Sequence, residues 1–216
     1  MAVAPLNTIA QHRLVPVIEL DSAADACSLA EALLQGGLPL MELTFRTEAA
    51  AESIAAVRKR FPEMLVGAGT IVLPDQLRQA LDAGAQFLVS PGFDPPLAQA
   101  VLKTGILYLP GVATASELQS ALALGINTCK FFPAEQIGGA RFLRVLADTF
   151  RAFSPRFVPT GGINLNNVET WLAEPSVIAA GGSWLAAKEW IRDRDWFAIK
   201  ESVASSIRVC RTIRKA

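Results

Sequence analysis

Residues 127 to 135 read NTCKFFPAE. One lysine, Lys130, stands among a cysteine, two phenylalanines and a proline, in a run with the composition of a buried strand. A cation there costs stability unless the site uses it. A second run, LMELTFRT, carries Glu42, Thr44 and Arg46. Alternate residues of a strand share a face, so these three lie on one side, with Met41, Leu43 and Phe45 on the other. The same alternation groups Thr128, Lys130 and Phe132 against Cys129 and Phe131. If apolar helices cover the outside of the sheet, both polar sets must point inward, and a carboxylate and an amine share one interior.

Two kinds of chemistry fit that pair. Glu42 and Lys130 can form a structural ion pair, a weak stabiliser because desolvation offsets most of the Coulomb attraction. Alternatively Lys130 is a nucleophile. Burial and nearby positive charge, such as Arg46, favour the free amine, and a free amine attacks a ketone to form a Schiff base. Glu42 is then the proton carrier.

Two glycine-rich turns add a second specificity. PTGGIN, from Pro159 to Asn164, and AGGSW, from Ala180 to Trp184, each follow an apolar run. Glycine lets backbone N–H groups approach an anion closely, and such loops before a short helix commonly hold phosphate. The plain alternative is turn glycines with no ligand. Arg46 and the hydroxyl of Thr70, in GAGT, form a separate anion-binding pair, since a guanidinium fork suits a carboxylate. For Arg46 the alternative is a surface salt bridge with Glu48. Together these features specify a molecule with a ketone, a carboxylate at one end and a phosphate at the other.

The elements that must position these residues alternate along the chain. Eight strand-like runs are Val15–Leu20, Leu40–Phe45, Leu65–Thr70, Phe87–Ser90, Leu107–Pro110, Thr128–Phe132, Arg156–Pro159 and Val177–Ala180. Between them, AADACSLAEALLQ, EAAAESIAAVRKR, PDQLRQALDA and ASELQSALAL carry apolar residues at helical spacing. Gly36, Gly84, Gly105 and Gly125 stand where a left-handed residue closes a helix. Thr114 to Glu117, TASE, has the spacing of a capping box, and Pro74 suits a first helical turn. Strand–helix alternation implies parallel strands. Eight units predict a closed (β/α)8 TIM barrel; an open doubly wound sheet is the competitor, but its expected glycine-rich first turn is missing from ELDSAA. The chain reads as a single domain over residues 1–216, with an N-terminal segment 1–14 and a C-terminal helical segment 185–216.

Composition narrows the class. Apolar residues make up 51% and charged residues 19% of the 216, enough for a sizeable core and against disorder. Lys and Arg number 20, as do Asp and Glu, and no basic cluster suggests nucleic acid or a membrane surface; RVCRTIRKA reads as a solvated basic helix end. No charge-free run reaches the roughly 18 residues of a spanning helix, and MAVAPLNTIAQHR lacks the pattern of a secretory signal. Cys27, Cys129 and Cys210 are far apart and fit buried thiols in a reducing cytoplasm. His12 is the only histidine, so a His-rich metal site is excluded by inventory, and His12 itself reads as a surface or packing residue.

ELTFRTE, VGAGT, GAQFLVSPG, KFFPAE, PTGGI and GGSW, in that order, resemble the 2-keto-3-deoxy-6-phosphogluconate (KDPG) aldolases, whose bacterial members often also split 4-hydroxy-2-oxoglutarate (KHG). The resemblance runs from about Val15 to Trp184. It implies Lys130 as the Schiff-base lysine and Glu42 as the general acid/base. It implies that Arg46 and Thr70 hold the substrate carboxylate, that Gly161, Gly162, Gly182 and Ser183 bind the phosphate, and that Pro91, Phe132 and Thr160 line the pocket. It also implies a metal-independent, cofactor-free enzyme, a phosphorylated 2-keto acid substrate, a homotrimer and the cytoplasm. Preference for the galactonate epimer, and a barrel that binds sugar phosphates without catalysis, are the rival readings. Glu19, in strand one beside Val15 and Val17, departs from the apolar family pattern, and LAAKEWIRDRDW after GGSW matches only loosely.

Overall fold

The computed structural model describes residues 3–213. The end of the basic C-terminal run, residues 214–216, lies outside the described residues, as do residues 1 and 2. Helix α1 (Val3–His12) occupies the N-terminal segment and leads into β1 (Leu14–Ile18). There follow α2 (Ala26–Gln35), β2 (Leu40–Thr44), α3 (Ala50–Arg60), β3 (Leu65–Gly69), α4 (Pro74–Asp82), β4 (Phe87–Val89) and α5 (Pro95–Leu102). The second half holds β5 (Leu107–Leu109), β6 (Gly111–Val112), α6 (Ala115–Ala123), β7 (Thr128–Phe131), α7 (Gly139–Thr149) and β8 (Arg156–Pro159). The chain continues through α8 (Val168–Leu172), β9 (Ala180–Gly182), α9 (Lys188–Arg192) and α10 (Trp196–Thr212).

Local chemistry explains the helix ends. At α6 the Thr114 hydroxyl accepts from the Glu117 N–H at 3.3 Å, and the Glu117 carboxylate accepts from the Thr114 N–H at 2.9 Å, so two orphan donors are satisfied reciprocally. Pro74 opens α4, and the Gln76 amide oxygen accepts from the Val72 and Leu73 N–H groups. At the end of α2 the expected left-handed residue is one place later than expected: Gly36 is right-handed (φ −72°), and Gly37 makes the turn at φ 93°. Gly36 is instead kept small by Val203 of α10, which a Cβ at Gly36 would meet at 2.8 Å.

All strand pairings are parallel. One six-stranded sheet runs β5-β4-β3-β2-β1-β9, and a three-stranded sheet runs β6-β7-β8. The alternating α/β organisation with parallel strands is as expected. Among the described residues a continuous eight-stranded ladder is not present. The fifth expected strand, Leu107–Pro110, ends at Leu109, before Pro110, which has no N–H to donate; an unexpected short strand, β6, follows it, and β5 pairs with β4 while β6 pairs with β7. Between β8 and β9 the ladder is reduced to isolated bridges, Phe157 with Val177 and Thr160 with Gly181. The last strand also begins at Ala180 instead of Val177. Glycine disfavours strand by propensity, yet Gly181 pairs with Val15 and Gly182 with Pro16. A Cβ at Gly181 would sit 2.6 Å from the Thr160 hydroxyl oxygen.

One hydrophobic cluster runs from Ile9 to Cys210. Phe131 anchors the outer side of β7 among Phe142, Phe157 and Trp171, with ring centroids 6.1 to 6.3 Å away. The Arg13 guanidinium donates to the carbonyls of Leu172 (2.7 Å), Ile213 (3.1 Å) and Cys210 (3.3 Å), tying the start of β1 to α8 and to the chain's far end. Among the described residues no helix is long and apolar enough to cross a membrane.

Candidate active site

Glu42 lies mid-strand in β2 and Lys130 near the end of β7, so they come from different sheets. Lys130 Nζ is nevertheless 3.6 Å from Glu42 Oε1. The alternation expected for both strands is therefore realised: Phe131 packs outward against Phe142, Phe157 and Trp171, and Lys130 faces Glu42 of the other sheet. Both groups are almost fully buried, Lys130 at 6% and Glu42 at 3% exposure. Glu42 Oε1 has no hydrogen-bond partner among the described residues. A buried carboxylate oxygen left without a donor is expensive, and its nearest cation stands just beyond hydrogen-bond range. Lys130 Nζ also lies 5.3 Å from the centroid of the Phe132 ring.

The neighbouring strands are shaped around this pair. Gly69, paired with Thr44 across β2–β3, leaves room for Glu42: a Cβ there would overlap its carboxylate. Gly111, the register partner of Lys130, lies against the Pro91 carbonyl, and a Cβ would overlap that as well. Thr70 directly follows β3, next to the glycine that makes room for Glu42, and Pro91 stands two residues past β4, against the register partner of Lys130. Their loops are cross-tied: the Ser90 hydroxyl donates to the Ile71 carbonyl and accepts from Tyr108. Thr70 adopts φ 59°, a conformation that a β-branched residue takes only when its surroundings hold it there.

Arg46, Phe132, Thr160, Gly161, Gly162, Gly182 and Ser183 all line one cavity of about 310 Å³. Lys130, Glu42, Thr70 and Pro91 are not in its wall; Lys130 is linked to it through Phe132, and Glu42 through Lys130. Gly161 (φ 101°) and Gly162 (φ 77°) are both left-handed, as a turn open to a ligand requires. The loop they form is clamped from behind. Asn167 donates to the Gly162 carbonyl at 3.0 Å and to Glu135 at 3.3 Å, and Trp171 donates to the same Glu135 carboxylate at 2.6 Å. The second glycine pair differs from expectation. Gly181 and Gly182 are strand residues, and the turn is the short 3-10 segment Ser183–Ala186 that starts after Gly182.

Sequence reasoning missed part of this cavity. Glu19 does face in, and so does Lys188; the two bond at 2.8 Å, and Glu19 Oε2 lies 3.5 Å from Arg46 Nη1. Arg46 is therefore paired with Glu19, not Glu48. The bond from Lys188 holds the Glu19 carboxyl below the usual carboxylate range. The alternation of Val15, Val17 and Glu19 was the available signal for Glu19; nothing in LAAKEWIRDRDW marks Lys188. Burial pushes the Cys129 thiol up to about 12, and it stays an inert thiol at neutral pH. Cys210 is also buried, whereas Cys27 is half-buried; all three are free thiols.

Comparison with known proteins identifies the family. The family model described as KDPG and KHG aldolase matches residues 6–202. A 2-dehydro-3-deoxy-phosphogluconate aldolase of Treponema pallidum is 47% identical over 184 residues, covering 85% of this chain and 87% of that one. The KDPG aldolase of Legionella pneumophila, whose crystal structure holds pyruvate as a covalent carbinolamine, superposes with a TM-score of 0.86 at 37% identity, covering 98% of each chain. That of Zymomonas mobilis ZM4, solved with 3-phosphoglycerate, gives 0.87 at 36% identity, covering 100% of this chain and 99% of that one. The chain belongs to the KDPG and KHG aldolase family.

Proposed function

We propose that this protein is a class I aldolase that splits 2-keto-3-deoxy-6-phosphogluconate into pyruvate and glyceraldehyde 3-phosphate. The observation that carries the reading is the buried Lys130 amine 3.6 Å from an otherwise unpartnered Glu42 oxygen. A purely structural pair would be expected to close to hydrogen-bond distance and satisfy its remaining lone pairs. An amine and a carboxylate at that separation can both reach one substrate molecule placed beside them.

The reaction follows from those two groups. The Lys130 amine adds to the C2 ketone, and the carbinolamine loses water to give a protonated imine. Glu42 takes the proton of the C4 hydroxyl, the C3–C4 bond breaks, and its electron pair moves into the imine to form an enamine. Glyceraldehyde 3-phosphate departs. The enamine is protonated at C3, and water releases pyruvate and restores the amine. Arg46 and Thr70 hold the C1 carboxylate, Pro91, Phe132 and Thr160 line the pocket, and Gly161, Gly162, Gly182 and Ser183 take the phosphate. The pyruvate adduct and the 3-phosphoglycerate of the two crystal structures support both ends of this assignment. The family also includes cleavage of 4-hydroxy-2-oxoglutarate, whose ketone and carboxylate fit the same deep site.

Borohydride treatment with pyruvate tests the mechanism. A stable adduct is expected on Lys130 by peptide mass mapping, and none in Lys130→Met. An adduct at another lysine would end the proposal.

The same reading takes the two sheets as one closed eight-stave (β/α)8 barrel in a single domain. The supports are the lone Pro110 between β5 and β6, the Thr160–Gly181 bridge, and one core cluster. It further takes the protein as a cytoplasmic homotrimer. Exposed Phe142, Val145 and Phe153 around α7, and Val72 and Leu73 before α4, are apolar surface of the kind that assembly covers. Sedimentation velocity should return three times the chain mass of 23.1 kDa.

A further inference from the structure

The cavity contains a carboxylate that the reaction does not use. Glu19 stands beyond the end of β1 and lines the same wall as Gly161, Gly162, Gly182 and Ser183. A fixed negative charge facing an anion cradle opposes the anion unless cations more than offset it. Two cations meet it here. Lys188 Nζ donates to Glu19 Oε1 at 2.8 Å, and Arg46 Nη1 lies 3.5 Å from Glu19 Oε2. One carboxylate between two cations leaves the trio with a net positive charge. Asp21 approaches Lys188 Nζ only at 3.8 Å, and its side chain is 73% exposed, so solvent screens it.

Lys188 follows the Ser183–Ala186 turn by two residues, so its backbone is carried by the segment that supplies the cradle. Its side chain is more than half exposed. A lysine head on a flexible four-carbon stem can leave one acceptor for another without backbone movement. Arg46, by contrast, is assigned to the carboxylate end of the substrate, which leaves Lys188 as the cation for the other end.

We propose that Lys188 is a specificity-determining residue that supplies charge to the terminal phosphate of the phosphorylated 2-keto acid, and that Glu19 is the positioning residue holding Lys188 and Arg46 against the cavity wall. The inference rests on the phosphate reading of the glycine cradle. It adds a lysine that family resemblance does not supply, and it gives the exposed rim, not the buried pair, the task of selecting a phosphorylated substrate over a shorter keto acid.

Steady-state kinetics of the full-length Lys188→Met enzyme with KDPG, beside solvent-deuterium exchange of the pyruvate methyl group, tests it. The exchange uses the Lys130 site without a phosphate. The KM for KDPG should rise about fivefold, the size expected for a part-exposed ion pair. The KM for pyruvate should change much less, and Lys188→Arg should recover most of the loss. The inhibition constant for inorganic phosphate should rise in parallel. An unchanged KM for KDPG, or an equal rise for pyruvate, would overturn the assignment while leaving the aldolase intact. A wild-type enzyme that exchanges pyruvate protons but does not cleave KDPG would overturn the phosphate reading itself, and this inference with it.

Discussion

Lys130 and Glu42 are the two buried, oppositely charged side chains on which the proposed reaction rests. Each is within the low-dielectric space between sheets, and each is the other's nearest named charge. Glu42→Gln separates the structural from the catalytic role because it keeps shape and removes the proton acceptor. The expected outcome is a kcat for KDPG lower by about 10²–10⁴, the usual contribution of a positioned acid–base group. If instead stability falls by about 3–5 kcal/mol in urea denaturation and kcat stays within about tenfold of wild type, the pair is a structural ion pair. Cys129, next in sequence to Lys130, takes no part: it points away and burial holds its thiol protonated.

At the scale of elements, the site depends on what the strands beside the pair omit. β3 reads LVGAG, and its last glycine exists because the Glu42 side chain occupies the place of its Cβ. Gly69→Ala therefore forces the carboxylate aside. We expect a loss of about 1–3 kcal/mol from overpacking, read by thermal melting. With it should come at least about a tenfold fall in kcat from misplacement of the proton carrier. A variant that keeps full kcat would show that Glu42 need not occupy its observed position. The loop after β8 is built differently: Asn167, Glu135 and Trp171 hold the Gly161–Gly162 turn from behind, so its shape does not wait for a ligand.

For the whole molecule, the junction of the two ends is the feature with a solution signature. Arg13 ties β1 to α8 and the far end of the chain, and His12 is half-buried beside it at the end of α1. Desolvation lowers the His12 pKa below its ordinary value of 6.5. Above 6.5 the imidazole is neutral folded and unfolded alike, and nothing is lost. As pH falls below 6.5 the unfolded chain takes the proton first, so stability declines until pH reaches the lower folded-state value. The thermal midpoint should therefore drop between pH 7 and pH 5.5, and less so in His12→Asn. Identical pH profiles would remove His12 from the account.

The sequence by itself determined the strand–helix alternation, because period-two and period-3.6 patterns and cap residues such as Thr114–Glu117 and Pro74 act within a few residues of each other. It also determined the inward set of Glu42, Lys130 and Phe132, since alternation along a strand is a local rule. Its family motifs led to the same residues. Only the tertiary structure decided the rest. The extra strand β6 past Pro110 and the late start of β9 depend on which neighbours offer hydrogen bonds, and strand propensity does not encode that. The partnership of Glu19 with Lys188 spans 169 positions, and no local pattern links them. Charges so far apart in the chain find each other only when the folded sheets and the turn at Ser183–Ala186 bring their backbones to one cavity.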